Sequence, residues 1–331
     1  MQIENGKMKL LKRCGLCPRK CGINRYEETG FCDVGVGIRI ARAALHYMEE
    51  PCISGNVPEK EGNTEASHRA EYKSKKSGSG TIFFSGCNLK CCYCQNDRLS
   101  HGNFGKDISE ERLAEIFLEL QEEGANNINL VTAVMYVPQI LGAFERVKGR
   151  LKIPVVYNSG GYETVETIKL LKDYVDIYLV DIKYFSDELA VRYSKAPRYF
   201  QYAVRSVEEM IRQKGKPEFY EGKVLDDEEA VLKSGVIIRH LVLPGARHDS
   251  IQILRELADR FDKNDYILSL MSQFTPHFKC REHKEINRRV TSFEYDSVVK
   301  EAVRLGLDNT YIQDRMSAGE EYTPPFDLDG C

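Results

Sequence analysis

No apolar run in this 331-residue chain approaches the roughly 18 residues that cross a bilayer as a helix, so a transmembrane helix is excluded. Charge of one sign is also missing. The 47 basic and 50 acidic side chains leave a net charge of −3, which gives no overall electrostatic attraction to nucleic acid or an anionic membrane. Residues Met1 to Lys12 are polar and lack the apolar core of a signal peptide, so a cytoplasmic location is expected. With 42% hydrophobic residues and only 11 prolines, collagen-like, mucin-like and wholly disordered classes are excluded. What remains is an α/β protein, large enough for one big domain with an appendage or for two ordinary domains.

Cysteine is what the chain has in excess. Eight of its 11 cysteines lie in two short stretches, Cys14, Cys17, Cys21 and Cys32, then Cys87, Cys91, Cys92 and Cys94. A disulfide framework would need an oxidising compartment, whereas clustered thiols in a reducing one point to metal.

The chain divides by texture. Residues 1–57 form an N-terminal cysteine-rich module, and residues 58–80 hold almost no large apolar side chains and read as a flexible polar insertion. Residues 81–313 form the main domain and 314–331 a C-terminal tail. From Thr81 onward, short apolar runs at 81–85, 127–132, 155–158, 177–183, 236–243 and 266–271 alternate with amphipathic stretches at 109–123, 163–172 and 250–261. The first of these stretches places Leu113, Ile116, Phe117 and Leu120 on one face. Residues 215–233 read as a second polar insertion. Six β-α repeats with near-continuously apolar strands predict a parallel sheet covered by helices. Such repeats close into a full or partial barrel or wind as an open sheet, and pattern alone does not choose. In both, chemistry gathers at the strand C-termini. There the sequence places Cys87 and Asn88, Thr132, Asn158 to Gly161, Asp181 and Lys183, Gly245, then Ser272 and Gln273.

Directly after the first strand stands Cys87-x3-Cys91-x2-Cys94. Three thiolates on one tight loop can grip three irons of a [4Fe–4S] cube and leave the fourth open, as catalytic zinc sites keep a vacant position. Cys92 is flanked by residues committed to that loop and reads as a bystander. The stretch Phe84 to Asn96 resembles the signature of radical S-adenosylmethionine (radical SAM) proteins, with Tyr93 at the aromatic place. More closely, the chain resembles the pyruvate formate-lyase activating enzyme-like branch of that superfamily. The likeness runs through Cys14–Gly22, His46–Gly55, Asn127–Ile140, Tyr157–Tyr162, Tyr178–Tyr184, Arg239–Gly245 and Leu270–Phe274, while 58–77 and 215–233 look like additions.

The resemblance implies a partial (β/α)6 TIM-like barrel of the radical SAM type, preceded by the four-cysteine module. It implies a [4Fe–4S] cluster on Cys87, Cys91 and Cys94, with S-adenosyl-L-methionine (SAM) at the open iron. Reductive cleavage of SAM would give a 5′-deoxyadenosyl radical that takes hydrogen from a substrate, a glycine of a partner enzyme in the activating-enzyme manner. The chain would then be an oxidoreductase served by a reductant such as flavodoxin or ferredoxin. Tyr93 would pack near the adenine, and Thr132, Asn158, Ser159 and Gly160 would line the SAM cradle. Asp181 would help hold a cation near the SAM carboxylate, and Lys183 would face the substrate as the catalytic side chain. Arg239 would pair with a carboxylate. One departure stands out: Ala133, Val134 and Met135 replace the Pro, Thr and His that the branch tends to carry. Their loss would weaken SAM binding or open an apolar wall for substrate.

The N-terminal thiols, Cys14-x2-Cys17-x3-Cys21-x10-Cys32, suit a second metal, either a tetrahedral zinc or a coordinatively closed [4Fe–4S] cube. Spacing does not choose between them. His46 with Glu49 and Glu50 reads as a surface helix end, His277-x2-Cys280-x2-His283 as a chance pattern, and the aromatics between Tyr184 and Tyr202 as core. Two rival functions stay open. One is radical chemistry on a small metabolite or peptide, favoured by the extra N-terminal module. The other is an Fe–S electron-transfer or metal-binding protein that does not cleave SAM.

Overall fold

The computed structural model describes residues 2–55, 78–227, 230–313 and 324–331. Six strands follow the expected runs: β2 (Ser79–Phe84), β4 (Asn127–Val131), β5 (Val155–Ser159), β6 (Ile177–Asp181), β8 (Leu232–Leu241) and β9 (Ile267–Met271). They pair in parallel and in sequence order, β2-β4-β5-β6-β8-β9, and a short strand β10 (Thr310–Ile312) extends the row. Strand order never reverses, so the sheet has no switch point of the doubly wound kind and follows the barrel winding. Its two ends, β10 and β3 (Lys106–Ile108), do not pair with each other, so the barrel is partial. The β2 and β5 residues are buried throughout, which is why these strands read as continuous apolar runs rather than alternating ones.

Helices cover the outer face. Helix α4 (Glu110–Glu122) starts where Ser109 accepts a hydrogen bond from the Arg112 N–H at 3.1 Å, and it buries Leu113, Ile116, Phe117 and Leu120 against the sheet. Helices α5 (Val137–Val147), α6 (Val165–Leu171), α8 (Tyr199–Lys214), α9 (Arg247–Arg260) and α10 (Ser292–Leu305) follow the later strands. Three further helices are short or peripheral: α1 (Gln2–Lys12), α2 (Pro51–Ser54) and α3 (Asp97–Ser100). Helix α7 (Asp187–Ser194) lies beyond β6.

Three segments took forms that composition did not announce. The Arg- and Ala-rich stretch at 36–48 contains strand β1 (Ile38–His46), antiparallel to β2 and followed in the sheet by β3. The N-terminal segment thus supplies a strand to the main sheet. The polar insertion expected at 58–80 lies outside the described residues up to 77, while Ser79 and Gly80 already belong to β2. Within 215–233 a two-residue strand β7 (Glu218–Phe219) pairs back on the start of β8. No helix of the described residues is long and apolar enough to cross a membrane.

Candidate functional site

The loop after β2 turns through Gly86 (φ +81), where a Cβ would meet the Cys32 carbonyl oxygen at 2.6 Å. That close approach sets the loop against the N-terminal segment. The loop then carries Cys87, Cys91 and Cys94 to the wall of a cavity of about 260 Å³ at the C-terminal ends of the strands. Each sulfur accepts a hydrogen bond: Cys87 from the Leu89 N–H (3.4 Å), Cys91 from Ser194 Oγ (2.9 Å) and Cys94 from Ser100 Oγ (3.2 Å). Because Ser194 donates to Cys91, it must accept from Tyr184 (2.7 Å), which in turn accepts from Tyr93 (2.5 Å). The hydroxyl dipoles of Tyr93, Tyr184 and Ser194 therefore all point toward one thiol. Burial pushes the thiols of Cys91 and Cys94 up to about 11 and about 12, so each needs a cation to become a thiolate. Donors aimed at three sulfurs on one loop fit the thiolates of a [4Fe–4S] cluster. Cys92 is not among the residues that line the cavity, and it lies near the buried Cys280 thiol.

The opposite wall is ionic. Arg239 on β8 donates from Nε to Asp181 Oδ1 (2.8 Å) and from Nη2 to Asn158 Oδ1 (2.7 Å), and its Nη1 lies 3.3 Å from Glu49 Oε2. Lys183 Nζ donates to the other oxygen of Asp181 at 2.6 Å. Burial alone would raise the Asp181 carboxyl, but Arg239 and Lys183 outweigh it and hold the group below the ordinary range. Burial would likewise lower Lys183, and Asp181 reverses this. For Glu49 burial wins over Arg239 and the carboxyl is raised. Glu50, with burial first and Glu49 beside it, rises to about 7.

The residues expected around SAM (Tyr93, Thr132, Asn158, Ser159, Gly160 and Asp181), the catalytic side chain expected to face the substrate (Lys183) and the carboxylate-pairing Arg239 all line this cavity. Tyr93 is nearly buried, its ring edge-on to Phe274 at 5.7 Å. Thr132 sits in the left-handed region (φ +60), with its N–H on the Asn158 carbonyl at 2.9 Å. Ser159 donates to buried Glu163 at 2.8 Å and accepts from the Gly161 N–H at 3.0 Å, which shapes the turn after β5. At Gly160 a Cβ would meet the Leu89 side chain of the cysteine loop at 2.7 Å, so the turn after β5 packs closely against that loop.

Two expectations are corrected. Glu49 and Glu50 do stand at a helix end, Glu50 being the N-cap of α2, but not at the surface: Glu50 is buried, the Glu49 side chain is 10% exposed, and both lie near Arg239, 190 positions away in sequence for Glu49. Buried carboxylates require a partner, but nothing in the sequence said which arginine would supply it. The replacements Ala133, Val134 and Met135 do not form an apolar wall of the cavity. Past Thr132 the chain turns them inward, and Val134 and Met135 line a second, smaller pocket instead.

That pocket, of about 20 Å³, is where Cys14, Cys17, Cys21 and Cys32 come together. No three His, Cys, Asp or Glu side chains among the described residues are drawn in as a ready-made ion cage. The four thiols share walls with Arg19, Lys20 and Arg25.

Residues 81–220 match the model of the radical SAM superfamily. The "Uncharacterized protein MJ0674" of Methanocaldococcus jannaschii is 30% identical over 321 residues, covering 94% of this chain and 80% of its own length. Among solved structures, methylornithine synthase (PylB) is 15% identical with a TM-score of 0.45, over 68% of this chain and 60% of its own. Streptococcus suis SuiB bound to S-adenosylmethionine is 12% identical with a TM-score of 0.44, over 69% and 48%. The chain thus spans less than two thirds of either of these solved chains. With the cysteine loop at the head of a sequentially wound parallel sheet and the family model lying across it, the chain belongs to the radical SAM superfamily.

Proposed function

We propose that the chain is a radical SAM enzyme that removes hydrogen from a substrate held beside Arg239. The observation that carries this is one cavity with three hydrogen-bonded thiols on one wall and the Asp181–Lys183–Arg239–Glu49 network on the other. When bound, the [4Fe–4S] cluster and SAM supply reductive cleavage of a C–S bond and a carbon radical. The chain's own residues do the rest. Cys87, Cys91 and Cys94 hold the cluster, and Gly160 and Gly161 let the backbone come close. The cationic groups of Arg239 and Lys183 suit the SAM carboxylate, and the carboxylates of Asp181 and Glu49 suit an ammonium or a ribose hydroxyl. The buried walls keep water from a reactive intermediate.

For the substrate, Asp181 and Lys183 at the end of β6 support the activating-enzyme reading, in which hydrogen leaves a glycine of a partner protein and flavodoxin or ferredoxin supplies the electron. A second reading has its own support. A chamber of about 300 Å³, lined by Glu50, Ser269 and Gln313, adjoins the cavity and shares Glu49, Arg239, Met271 and Gln273 with it. A space of that size suits a small metabolite or a peptide side chain.

The test is anaerobic reconstitution with iron and sulfide, reduction with dithionite, and measurement of 5′-deoxyadenosine from added SAM. Product above the Cys87→Ala background is expected, with Cys92→Ala retaining most of its cluster iron. A reduced, intact cluster that binds SAM but yields no product would favour the electron-transfer reading. Loss of all iron in Cys92→Ala would overturn the ligand assignment.

A further inference from the structure

We infer that Cys14, Cys17, Cys21 and Cys32 hold a single zinc ion in a closed tetrathiolate site, and that this site braces the cysteine loop of the main cavity. The first part stands independently of the function proposed above.

Three observations carry it. The four thiols line one pocket of about 20 Å³. That is room for little more than one water-sized body, which suits a single ion. The local fold presents sulfur as a ligand site does. Gly22 N–H returns to the Cys14 carbonyl (2.8 Å) and Lys20 N–H to the Cys17 carbonyl (3.0 Å), with Lys20 (φ +45) and Gly22 (φ +68) in left-handed turns. Cys17 Sγ accepts from the Arg19 N–H and Cys32 Sγ from the Val34 N–H, each two residues on. In the main loop, Cys87 accepts from the Leu89 N–H in the same way.

The third observation is electrostatic. Arg25 is only 2% exposed and lines this pocket. Its Nη atoms reach two neutral acceptors, the carbonyls of Met135 and Gly35, and its Nε has no hydrogen-bond partner. A buried guanidinium without an anion is strongly unfavourable. Four thiolates around Zn²⁺ carry a net charge of two minus, which answers Arg25 and the neighbouring Arg19 and Lys20. The thiols are not already closed to ion distance, so the ion would draw them in, as structural zinc does when it couples to folding.

The bracing follows from contacts on the far side of the same loop. Arg19 Nε donates to the Asn88 carbonyl at 3.0 Å, Asp33 pairs with Lys90, and Gly86 lies against Cys32. Asn88 and Lys90 sit between Cys87 and Cys91, so an ordered N-terminal site fixes the path of the thiol loop.

The experiment uses the full chain carrying Cys87→Ala, Cys91→Ala and Cys94→Ala, so that the thiols of the main cavity take no metal and the five-fold variant below reports on any other site. After chelation, titration with Zn²⁺ alone should saturate at one ion per chain, and Co²⁺ in its place should give the intense visible absorption of tetrahedral thiolate cobalt. Adding Cys14→Ser and Cys17→Ser should abolish both. Saturation below one ion, cobalt spectra without thiolate character, zinc retained by the five-fold variant, or iron and sulfide in place of zinc in the protein as isolated would each overturn the inference. For the brace, Arg19→Ala in an otherwise unaltered chain should keep one zinc and speed proteolysis or hydrogen exchange at residues 87–94. Unchanged exchange there would remove that second part.

Discussion

At the scale of single residues, the floor of the cavity is a set of charges that cannot be moved one at a time. Glu163 is an instructive case because it lies one layer behind the cavity wall, bonded to Ser159. It is buried, accepts from Ser159 and, at 3.3 Å, from Tyr157, and has no cationic partner among the described residues. Burial therefore raises its carboxyl from 4.5 to about 7, against the pull of those two hydroxyls. The folded chain keeps a proton that the unfolded chain has released, so this group's stabilising contribution, full at low pH, is lost as pH rises from about 4.5 to about 7. Glu163→Gln removes the titration. The gap in melting temperature between the native chain and this variant should thus shift in the variant's favour between pH 5 and pH 7.5, and a constant gap across that range would refute the assignment.

At the scale of elements, the turn after β5 shows how little room a strand end leaves. Gly161 has φ +79, and a Cβ there would stand 2.2 Å from the Asp181 carbonyl oxygen and 2.7 Å from the Tyr199 hydroxyl. Tyr199 Oη donates toward the carbonyls of Gly160 and Asp181 and accepts from the Lys183 N–H, so it ties the ends of β5 and β6 together. Gly161→Ala pays both a left-handed backbone and a steric clash, which together cost upward of about 1–2 kcal/mol. Chemical denaturation should show that loss, and SAM affinity should fall with it because Asp181 is displaced. A variant with native stability would mean that the two strand ends can separate freely.

At the scale of the molecule, residues far apart in sequence close the sheet's antiparallel side. The described C-terminal residues lie along β1: Ala43 N–H donates to the Asp329 carbonyl (2.9 Å), Leu328 N–H to the Ala41 carbonyl (3.1 Å), and Arg42 pairs with Asp327 (2.5 Å) and Asp329 (3.1 Å). Phe326 is 6% exposed and meets Phe83 of β2 edge-on at 5.5 Å. Phe83 also lines the main cavity, so this terminal contact supports the site from behind. Phe326→Ala should cost about 3 kcal/mol of unfolding free energy, far more than the loss expected of a residue in a free tail. A change within 0.5 kcal/mol would show the contact to be dispensable.

The sequence by itself determined the six parallel strands from β2 to β9, their polar ends and the thiol loop, because each is local. Period, length and a three-cysteine spacing can be read within a dozen residues. Only the tertiary structure decided the rest. Sheet winding depends on strand order, which the apolar runs do not encode. Strand β1 stayed hidden because Arg39 and Arg42, which interrupt its apolar pattern, find acids on β3 and on the C-terminal residues. Glu49 and Arg239 become a site pair through the distance the fold removes between them, and Val134 and Met135 become a wall for the N-terminal thiols because Thr132 turns the chain away from the cavity. In each case the deciding quantity is which buried charge or apolar surface finds its complement, and that is a property of the folded chain.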